Sequence, residues 1–165
     1  MAKESSFDIV STVDLQEVDN AYQQAARELT QRYDLKQTGA SIDFSKKDET
    51  FLISAPSEFV CGQVSDVLNS KLAKRGIDLK ALRWDDPQPA AGASVRQSAR
   101  LVQGIDKDTA KKIAKDIRDL KLKCKAAVEG DKLRVSSASR DTLQQVIAEL
   151  KERDYGQPLQ FVNYR

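Results

Sequence analysis

The sequence predicts an α+β fold built from two similar units, and three observations support this class. Short segments alternate apolar and polar residues as strands do, while longer segments repeat apolar residues every three or four positions as helices do. These segments follow the order strand, helix, strand, strand, helix, strand twice over in 165 residues. Residues 52–57 also resemble residues 134–139, an offset of 82 positions, so we interpret the chain as an internal duplication.

The first half of the chain contains one full set of elements. Residues 7–13 alternate and are rich in β-branched side chains, which is typical of a strand, and Asp14 followed by Glu17 predicts the start of a helix. Two further alternating segments flank a polar turn and predict a hairpin. A second helix is expected to begin after Ser57 and to end before Gly76, and a short strand completes the unit.

A segment rich in proline and glycine, residues 86–92, interrupts the pattern and predicts a linker. We therefore expect a first unit at 1–85 and a second, basic unit at 93–165. The elements of the second unit are a strand at 95–102, a helix at 106–120, a hairpin at 123–136, a helix at 139–150 and a strand at 159–164.

The repeated order predicts two tandem ferredoxin-like units of the βαββαβ type. Each is expected to have an antiparallel four-stranded sheet with both helices on one face, because two right-handed β-α-β crossovers interleave in that way. The first strand fits either sheet, since exchange of this strand between two similar units breaks no part of the pattern. Residues 1–13 are therefore open to pairing with the second sheet.

The composition argues against catalysis and against a metal site. The chain has no histidine, the side chain that most often serves as a general base or metal ligand near neutral pH. Cys61 and Cys124 are isolated, so no cysteine-rich zinc site is expected, and the common glycine-rich phosphate-binding motifs are missing from the sequence. We expect no catalytic residue, no metal and no cofactor, and therefore no enzyme.

The distribution of apolar residues indicates a cytoplasmic protein. No apolar run approaches the roughly 20 residues that a membrane span needs. The start of the sequence also lacks the apolar segment of an export signal. We therefore expect no membrane partner, and we expect free cysteine thiols, which the reducing cytoplasm favours.

Charge is divided unevenly along the chain, although the net charge is only +2. Residues 1–91 carry 11 basic and 15 acidic side chains, a net charge of −4. Residues 92–165 carry 16 basic and 10 acidic side chains, a net charge of +6. Because phosphate contacts come chiefly from lysine and arginine, an anion is expected to bind in the second half.

A row of basic residues is the strongest candidate for that contact. Lys111, Lys115 and Arg118 fall on one face of the predicted helix. The row is expected to continue into the following strand, where alternation places on one face of the sheet the side chains of Lys121, Lys123 and Lys125. A solvated charged helix face explains the same row, so both interpretations stay open.

The C-terminal segment alternates polar and apolar residues with interleaved aromatic rings. Gln160 offers an amide for a base edge, and Phe161 and Tyr164 offer rings that can stack on bases, as sheet surfaces do when they hold a nucleotide or single-stranded RNA. Phe7 can serve likewise if its strand is a neighbour. Alternation predicts that Phe161 and Asn163 face the same side, and an ordinary half-buried strand is the alternative interpretation.

Short motifs along the whole chain, in their order and spacing, resemble the YajQ family. They are Ser6-Phe7-Asp8-Ile9-Val10-Ser11, Lys74-Arg75-Gly76-Ile77, Gln103-Gly104-Ile105, Lys111-Lys112-Ile113, Gly130-Asp131, Ser139-Arg140-Asp141 and Pro158-Leu159-Gln160-Phe161. The resemblance implies two ferredoxin-like domains, a bacterial cytosolic protein and nucleotide binding. Members of the family are described as binding purine nucleotides or RNA, and some as effectors for cyclic di-GMP.

The expected function is therefore non-catalytic binding of a nucleotide, with cyclic di-GMP, GTP or ATP as the ligand. Basic residues are expected to contact phosphates while aromatic residues stack on guanine. The basic residues are Lys111, Lys115, Arg118, Lys121, Lys123 and Arg140. Two alternatives stay open: an RNA-binding protein that uses the same basic second unit, and a nucleotide-controlled cofactor that binds a transcription factor.

Overall fold

The computed structural model describes residues 4–165, which form four α-helices and nine β-strands. In chain order these are β1 (Ser5–Val10), α1 (Leu15–Gln31), β2 (Ser41–Ser45), β3 (Thr50–Ala55), α2 (Glu58–Lys74), β4 (Leu82–Trp84), β5 (Gln88–Pro89), β6 (Val95–Leu101), α3 (Lys107–Asp119), β7 (Lys125–Glu129), β8 (Lys132–Ser137), α4 (Arg140–Lys151) and β9 (Gln160–Val162). Every element of the predicted order is present, and β5 is an additional short strand.

Polar side chains begin the helices at the positions that the sequence indicates. Asp14 accepts hydrogen bonds from two backbone N–H groups in the first turn of α1. Ser57, Asp106 and Ser139 cap α2, α3 and α4 in the same way. Each cap satisfies N–H groups that a first helical turn leaves without a partner, so the helices start where these residues stand.

The strands form two antiparallel sheets. The strand order is β2-β3-β6-β4 in one sheet, where β5 also pairs with β6, and β7-β8-β1-β9 in the other. Buried residues of α1 and α2 pack in one hydrophobic cluster with the first of these sheets, and those of α3 and α4 pack with the second. The predicted α+β class of two ferredoxin-like units is confirmed.

β1 and β6 hold equivalent places, each beside the inner strand of a hairpin. β1 pairs with β8 and β9, so Phe7 lies opposite Val135 and Ile9 lies opposite Phe161. β6 pairs with β3 and β4, so Ala99 lies opposite Phe51. The first strand of the chain, which the sequence allowed in either sheet, thus lies with β7, β8 and β9. β6, expected in the second unit, lies with β2, β3 and β4.

The chain divides into two compact units that follow these pairings. The β6 unit is Val13–Val102, and the β1 unit joins Met1–Thr12 to Gln103–Arg165. Each unit has its own core: large fully buried side chains include Phe51 and Leu68 in the first and Phe7 and Ile113 in the second. Within residues 4–165, no helix is both long enough and apolar enough to cross a membrane.

These units differ from the expected division at 1–85 and 93–165. The expected linker at 86–92 lies inside the β6 unit, where Gln88 and Pro89 pair with β6. The physical reason is that β1 and β6 have similar alternation, so the pattern alone does not reveal which sheet each one joins.

The arrangement of strands also changes the distribution of charge. The β6 unit has 12 basic and 13 acidic residues, a net charge of −1, and the remaining residues have a net charge of +3. The contrast between −4 and +6 is therefore much reduced, because Arg96 and Arg100 belong to the β6 unit and Asp8 belongs to the β1 unit. Net charge alone does not identify the anion-binding region.

Candidate functional site

A pocket of about 290 Å³ lies in the β1 unit, where the start of β1, the first turns of α4 and the C-terminal residues meet. We name it the Arg140 pocket. Its lining residues are Ser5, Ser6, Arg140, Leu143, Gln144, Tyr164 and Arg165. The residues that line this one cavity thus include two arginines, one tyrosine and two serines.

Backbone pairing fixes the C-terminal wall of the Arg140 pocket. Ser6 N–H donates to the carbonyl oxygen of Arg165 at 3.1 Å, and Arg165 N–H donates to the carbonyl oxygen of Ser6 at 2.9 Å. Arg140 is the first residue of α4, directly after the Ser139 cap, and its Nε lies 3.5 Å from Ser5 Oγ. Both arginines therefore extend from backbone that regular hydrogen bonds hold in place.

Tyr164 lies over the edge of the core. Its ring centroid is 6.2 Å from that of Phe7, with an angle of 35° between the planes, and 60% of the residue remains exposed. Phe7 is fully buried and contacts Phe161 edge-on, with 5.9 Å between ring centroids. Phe7 is therefore not available for stacking on a base from solvent. Its ring instead packs against the ring of Tyr164.

A buried carboxylate anchors the segment before Tyr164. Asp8 is 1% exposed and accepts hydrogen bonds from Asn163 Nδ2 at 2.8 Å, Arg134 Nε at 3.0 Å and Lys132 Nζ at 3.4 Å. Burial alone raises the pKa of Asp8, but the hydrogen bonds from Asn163, Arg134 and Lys132 outweigh it and bring the pKa to about 2. Asp8 is therefore ionised at neutral pH and neutralises two nearby cations.

The prediction that Asn163 faces the same side as Phe161 is wrong. β9 ends at Val162, and Asn163 has a left-handed φ of 57°, which interrupts the alternation of a strand. Its side chain consequently reaches Asp8, whereas Phe161 packs with the core. Asparagine tolerates this conformation better than most residues.

The structure brings together two of the residues expected at the nucleotide site, Arg140 and Tyr164. Gln160 lies elsewhere, because its Oε1 accepts a hydrogen bond from Thr12 N–H at 2.8 Å and its Nε2 donates to the carbonyl oxygen of Thr12 at 3.3 Å. Phe161 is half-buried against the core of the β1 unit. The amide of Gln160 and the ring of Phe161, which were expected to contact a base, thus make contacts within the protein instead.

The basic row lies on α3, outside the lining of the Arg140 pocket. Lys111, Lys115 and Arg118 are exposed, and the buried residues of α3 lie on its other side, as predicted. Lys121 and Lys123 do not extend the row into a strand as predicted. Lys121 has a left-handed φ of 56° in the turn after α3, and β7 begins only after Lys123. The alternation argument therefore fails for this pair.

Four polar lining residues of the Arg140 pocket were not predicted from the sequence. Ser5 and Ser6 belong to a strand whose partners the pattern left undecided, and Arg165 pairs with Ser6 at the far end of the chain. Gln144 follows Arg140 by four residues on α4, and that spacing alone places both on one helix face. Gln144 is thus the one residue of the four that the sequence could have indicated.

Comparison with known proteins shows the family of this chain. A family model described as nucleotide-binding protein YajQ-like matches residues 5–165. The chain belongs to the YajQ family. Relatives named "Nucleotide-binding protein" are 48% identical in Chloroherpeton thalassium, over 100% of both chains, and 52% identical in Desulforamulus reducens, over 100% of this chain and 99% of the relative. The resemblance drawn from the short motifs is confirmed.

Two of the motifs that the YajQ resemblance rests on form a structural corner. Gly104 has a φ of 81°, and a Cβ on it would lie 2.9 Å from Asp131 Oδ2. Its N–H donates to the carbonyl oxygen of Ser11 at 2.6 Å, and its own carbonyl oxygen accepts from Gln157 Nε2 at 2.8 Å. Glycine suits this position because it has no Cβ and adopts a positive φ readily. These two motifs therefore stabilise the fold of the β1 unit.

Proposed function

We propose that this YajQ-family chain binds a nucleotide without catalysis, and that the ligand occupies the Arg140 pocket. The observation that carries the proposal is the meeting of Arg140, Arg165 and the exposed ring of Tyr164 around one cavity. The names of the relatives support the nucleotide class.

The phosphate groups are proposed to contact the two guanidinium groups. Arginine presents a planar fork of donors that matches phosphate oxygens in pairs and stays charged at all relevant pH values. The pocket also lies at the first turn of α4, where the helix dipole and the free N–H groups favour an anion. The hydroxyl group of Ser5, whose Oγ lies 3.5 Å from Arg140 Nε, adds a neutral donor beside the guanidinium group.

The base is proposed to stack on Tyr164. A ring that is 60% exposed and rests against Phe7 offers one supported aromatic surface to a ligand. Stacking of a base on an aromatic side chain is worth about 1–3 kcal/mol and tolerates different bases. A volume of about 290 Å³ is near the lower end for ligand pockets, so it suits one nucleotide, such as GTP or ATP, or one half of cyclic di-GMP.

The absence of catalysis is proposed from the lining of the Arg140 pocket. Among the described residues, the side chains of its walls include no carboxylate, no imidazole and no thiol. Residues 4–165 also contain no group of three or more side chains that could hold a metal ion. General base and nucleophilic chemistry need such groups within reach of the ligand, so binding is the better-supported role.

Calorimetric titration with cyclic di-GMP, GTP and ATP tests this proposal. Arg140→Gln is expected to weaken binding about 10- to 100-fold, since a hydrogen bond to a charged group is worth about 1.5–3 kcal/mol. Lys115→Gln is the matched control, because it removes one exposed charge from a helix of the same unit. Equal affinities of Arg140→Gln and the unmodified chain would contradict the proposal, and a loss with Lys115→Gln alone would move the site to α3.

RNA binding by α3 is a second candidate, which one observation favours. None of Lys111, Lys115 and Arg118 forms an ion pair with any residue of the part of the chain that the structure describes. The triple change to glutamine is expected to reduce the dependence of log affinity on log salt by about 2 for a single-stranded RNA, at about 0.7 per phosphate contact. An unchanged salt slope would exclude α3 as the RNA surface. A transcription factor as partner stays a prediction from the family resemblance.

A further inference from the structure

β7 is an edge strand that leaves one side of its backbone without a strand partner. It pairs with β8 through all five of its residues, from Lys125 opposite Ser136 to Glu129 opposite Lys132. Every second residue of such a strand directs its N–H and C=O groups away from its neighbour. Among residues 4–165, no backbone hydrogen bond joins β7 to anything except β8.

The other edge strands carry features that discourage pairing, and β7 does not. β9 and β4 have only three residues each, and β9 lies between Pro158 and the left-handed Asn163. β2 has the charged Asp43 at its centre. Short edges, proline and central charges are the usual ways in which proteins protect sheet edges. β7 has five residues, no proline and charges only at its two ends.

The centre of β7 is apolar and largely exposed. Its central residues are Ala126, Ala127 and Val128, and Val128 is 46% exposed. Exposed β-branched residues on an unprotected edge favour the addition of another strand. The small side chains of the two alanines also allow a second backbone to approach closely.

We propose that β7 pairs antiparallel with β7 of a second copy of this chain, across a two-fold axis at Ala127. The sequence Lys-Ala-Ala-Val-Glu is self-complementary in that register. Lys125 lies opposite Glu129 of the second copy, and Glu129 lies opposite Lys125 of the second copy. Opposite charges in directly facing positions stabilise a strand pair, and a two-fold axis forms both pairs at once. This assembly goes beyond the proposed nucleotide site.

The pairing is expected to be weak and dependent on protein concentration. A five-residue strand adds few hydrogen bonds, and we expect it to bury less than the roughly 1,200 Å² at which stable interfaces begin. Addition of a strand to a sheet edge gains its affinity chiefly from main-chain hydrogen bonds. The two four-stranded sheets would then form one sheet of eight strands.

Sedimentation velocity over a range of concentrations tests this pairing with charge reversals. The unmodified chain is expected to shift from monomer toward dimer as concentration rises. Glu129→Lys is expected to abolish the shift because like charges then face each other, and the double variant Lys125→Glu with Glu129→Lys is expected to restore it. Glu149→Lys on α4 is the control, because it makes the same change of net charge at an exposed position. A monomer at every concentration, or failure of the double variant to restore the dimer, would overturn the proposal.

Cross-linking provides a second test of the register. A cysteine at Ala127 is expected to form a disulfide with its own counterpart, because residues facing each other across antiparallel strands lie within the reach of a disulfide. The background is Cys124→Ser, since Cys124 is only half-buried, and Ala148→Cys on α4 is the matched control. Equal cross-linking at both positions would contradict pairing through β7.

Discussion

On the sheet face that no helix covers, the arginines of the two sheets have different neighbours. In the β1 sheet, Arg134 lies directly opposite Asp8 and donates to its carboxylate at 3.0 Å. In the β6 sheet, Arg100 lies directly opposite Arg83, so two like charges face each other. Neither Arg96 nor Arg100 forms an ion pair with any residue in the described range 4–165. Asp8 thus neutralises the arginine of the β1 sheet, whereas Arg96 and Arg100 of the β6 sheet have no acidic partner among the described residues.

The contrast shows that strand pairing, rather than the net charge of a segment, determines which cations are neutralised within the fold. Arg134 and Lys132 contribute to the positive charge of the second half, yet Asp8 from the other end of the chain occupies both. The cations of the β1 unit that have no ion pair among the described residues therefore lie away from the centre of its sheet, among them Arg140 and the basic row of α3.

Replacement of Asp8 is expected to have the largest effect on stability. Asp8→Ala leaves Arg134, Lys132 and Asn163 without their shared acceptor, and the loss of unfolding free energy is expected to be about 1–3 kcal/mol. Asp43→Ala on the β6 sheet is the control, since Asp43 is exposed, and it is expected to change stability by less than about 0.5 kcal/mol. Urea unfolding followed by circular dichroism measures both. Equal effects would remove the contrast between the sheets.

The contribution of Asp8 to the stability of the β1 sheet is expected to depend on pH. The pKa of Asp8 is about 2 in the folded chain, below its ordinary value of 3.8. A lowered folded-state pKa contributes stability that is present above the unfolded pKa and is lost as pH falls through the folded pKa. The stability advantage of the unmodified chain over Asp8→Asn is therefore expected to decline between about pH 4 and about pH 2.

Urea midpoints of both proteins across this pH range check that expectation. A constant difference between the two proteins, from neutral pH to the acid limit, would show that the charge of Asp8 contributes nothing to the folded state.

The arginines themselves are expected to give the smallest effects, with opposite signs. Arg134→Gln removes a charged donor from Asp8 and is expected to lower stability by about 1 kcal/mol. Arg100→Gln removes the like charge opposite Arg83 and is expected to leave stability unchanged or raise it by up to about 0.5 kcal/mol. Thermal unfolding of the two variants side by side measures the difference. A larger loss with Arg100→Gln than with Arg134→Gln would reverse the comparison.

Local patterns in the sequence predicted the elements of the fold well, because they depend on neighbours along the chain. The caps at Asp14 and Ser57 and the buried stripe of α3 all appear where alternation and spacing indicated. The partner of each strand was harder to predict from the sequence. β1 and β6 alternate alike, so only the three-dimensional packing distinguishes the sheet that each one joins.

The candidate site was predictable only in part for the same reason. Arg140 and Tyr164 were identified by their residue types, but the ring of Phe7 is buried and Gln160 is bonded to Thr12. Both outcomes depend on which strands are neighbours. Asn163 was misjudged because a single left-handed residue ends the regular alternation on which the prediction relied.

Assigned backbone NMR spectra during titration with GTP and with cyclic di-GMP test whether the Arg140 pocket holds the nucleotide. We expect little change at Lys111 and Lys115, and saturable shifts of the amide signals of Ser5, Arg140, Gln144 and Tyr164. Saturable shifts confined to α3, with the signals of the Arg140 pocket unmoved, would contradict that expectation.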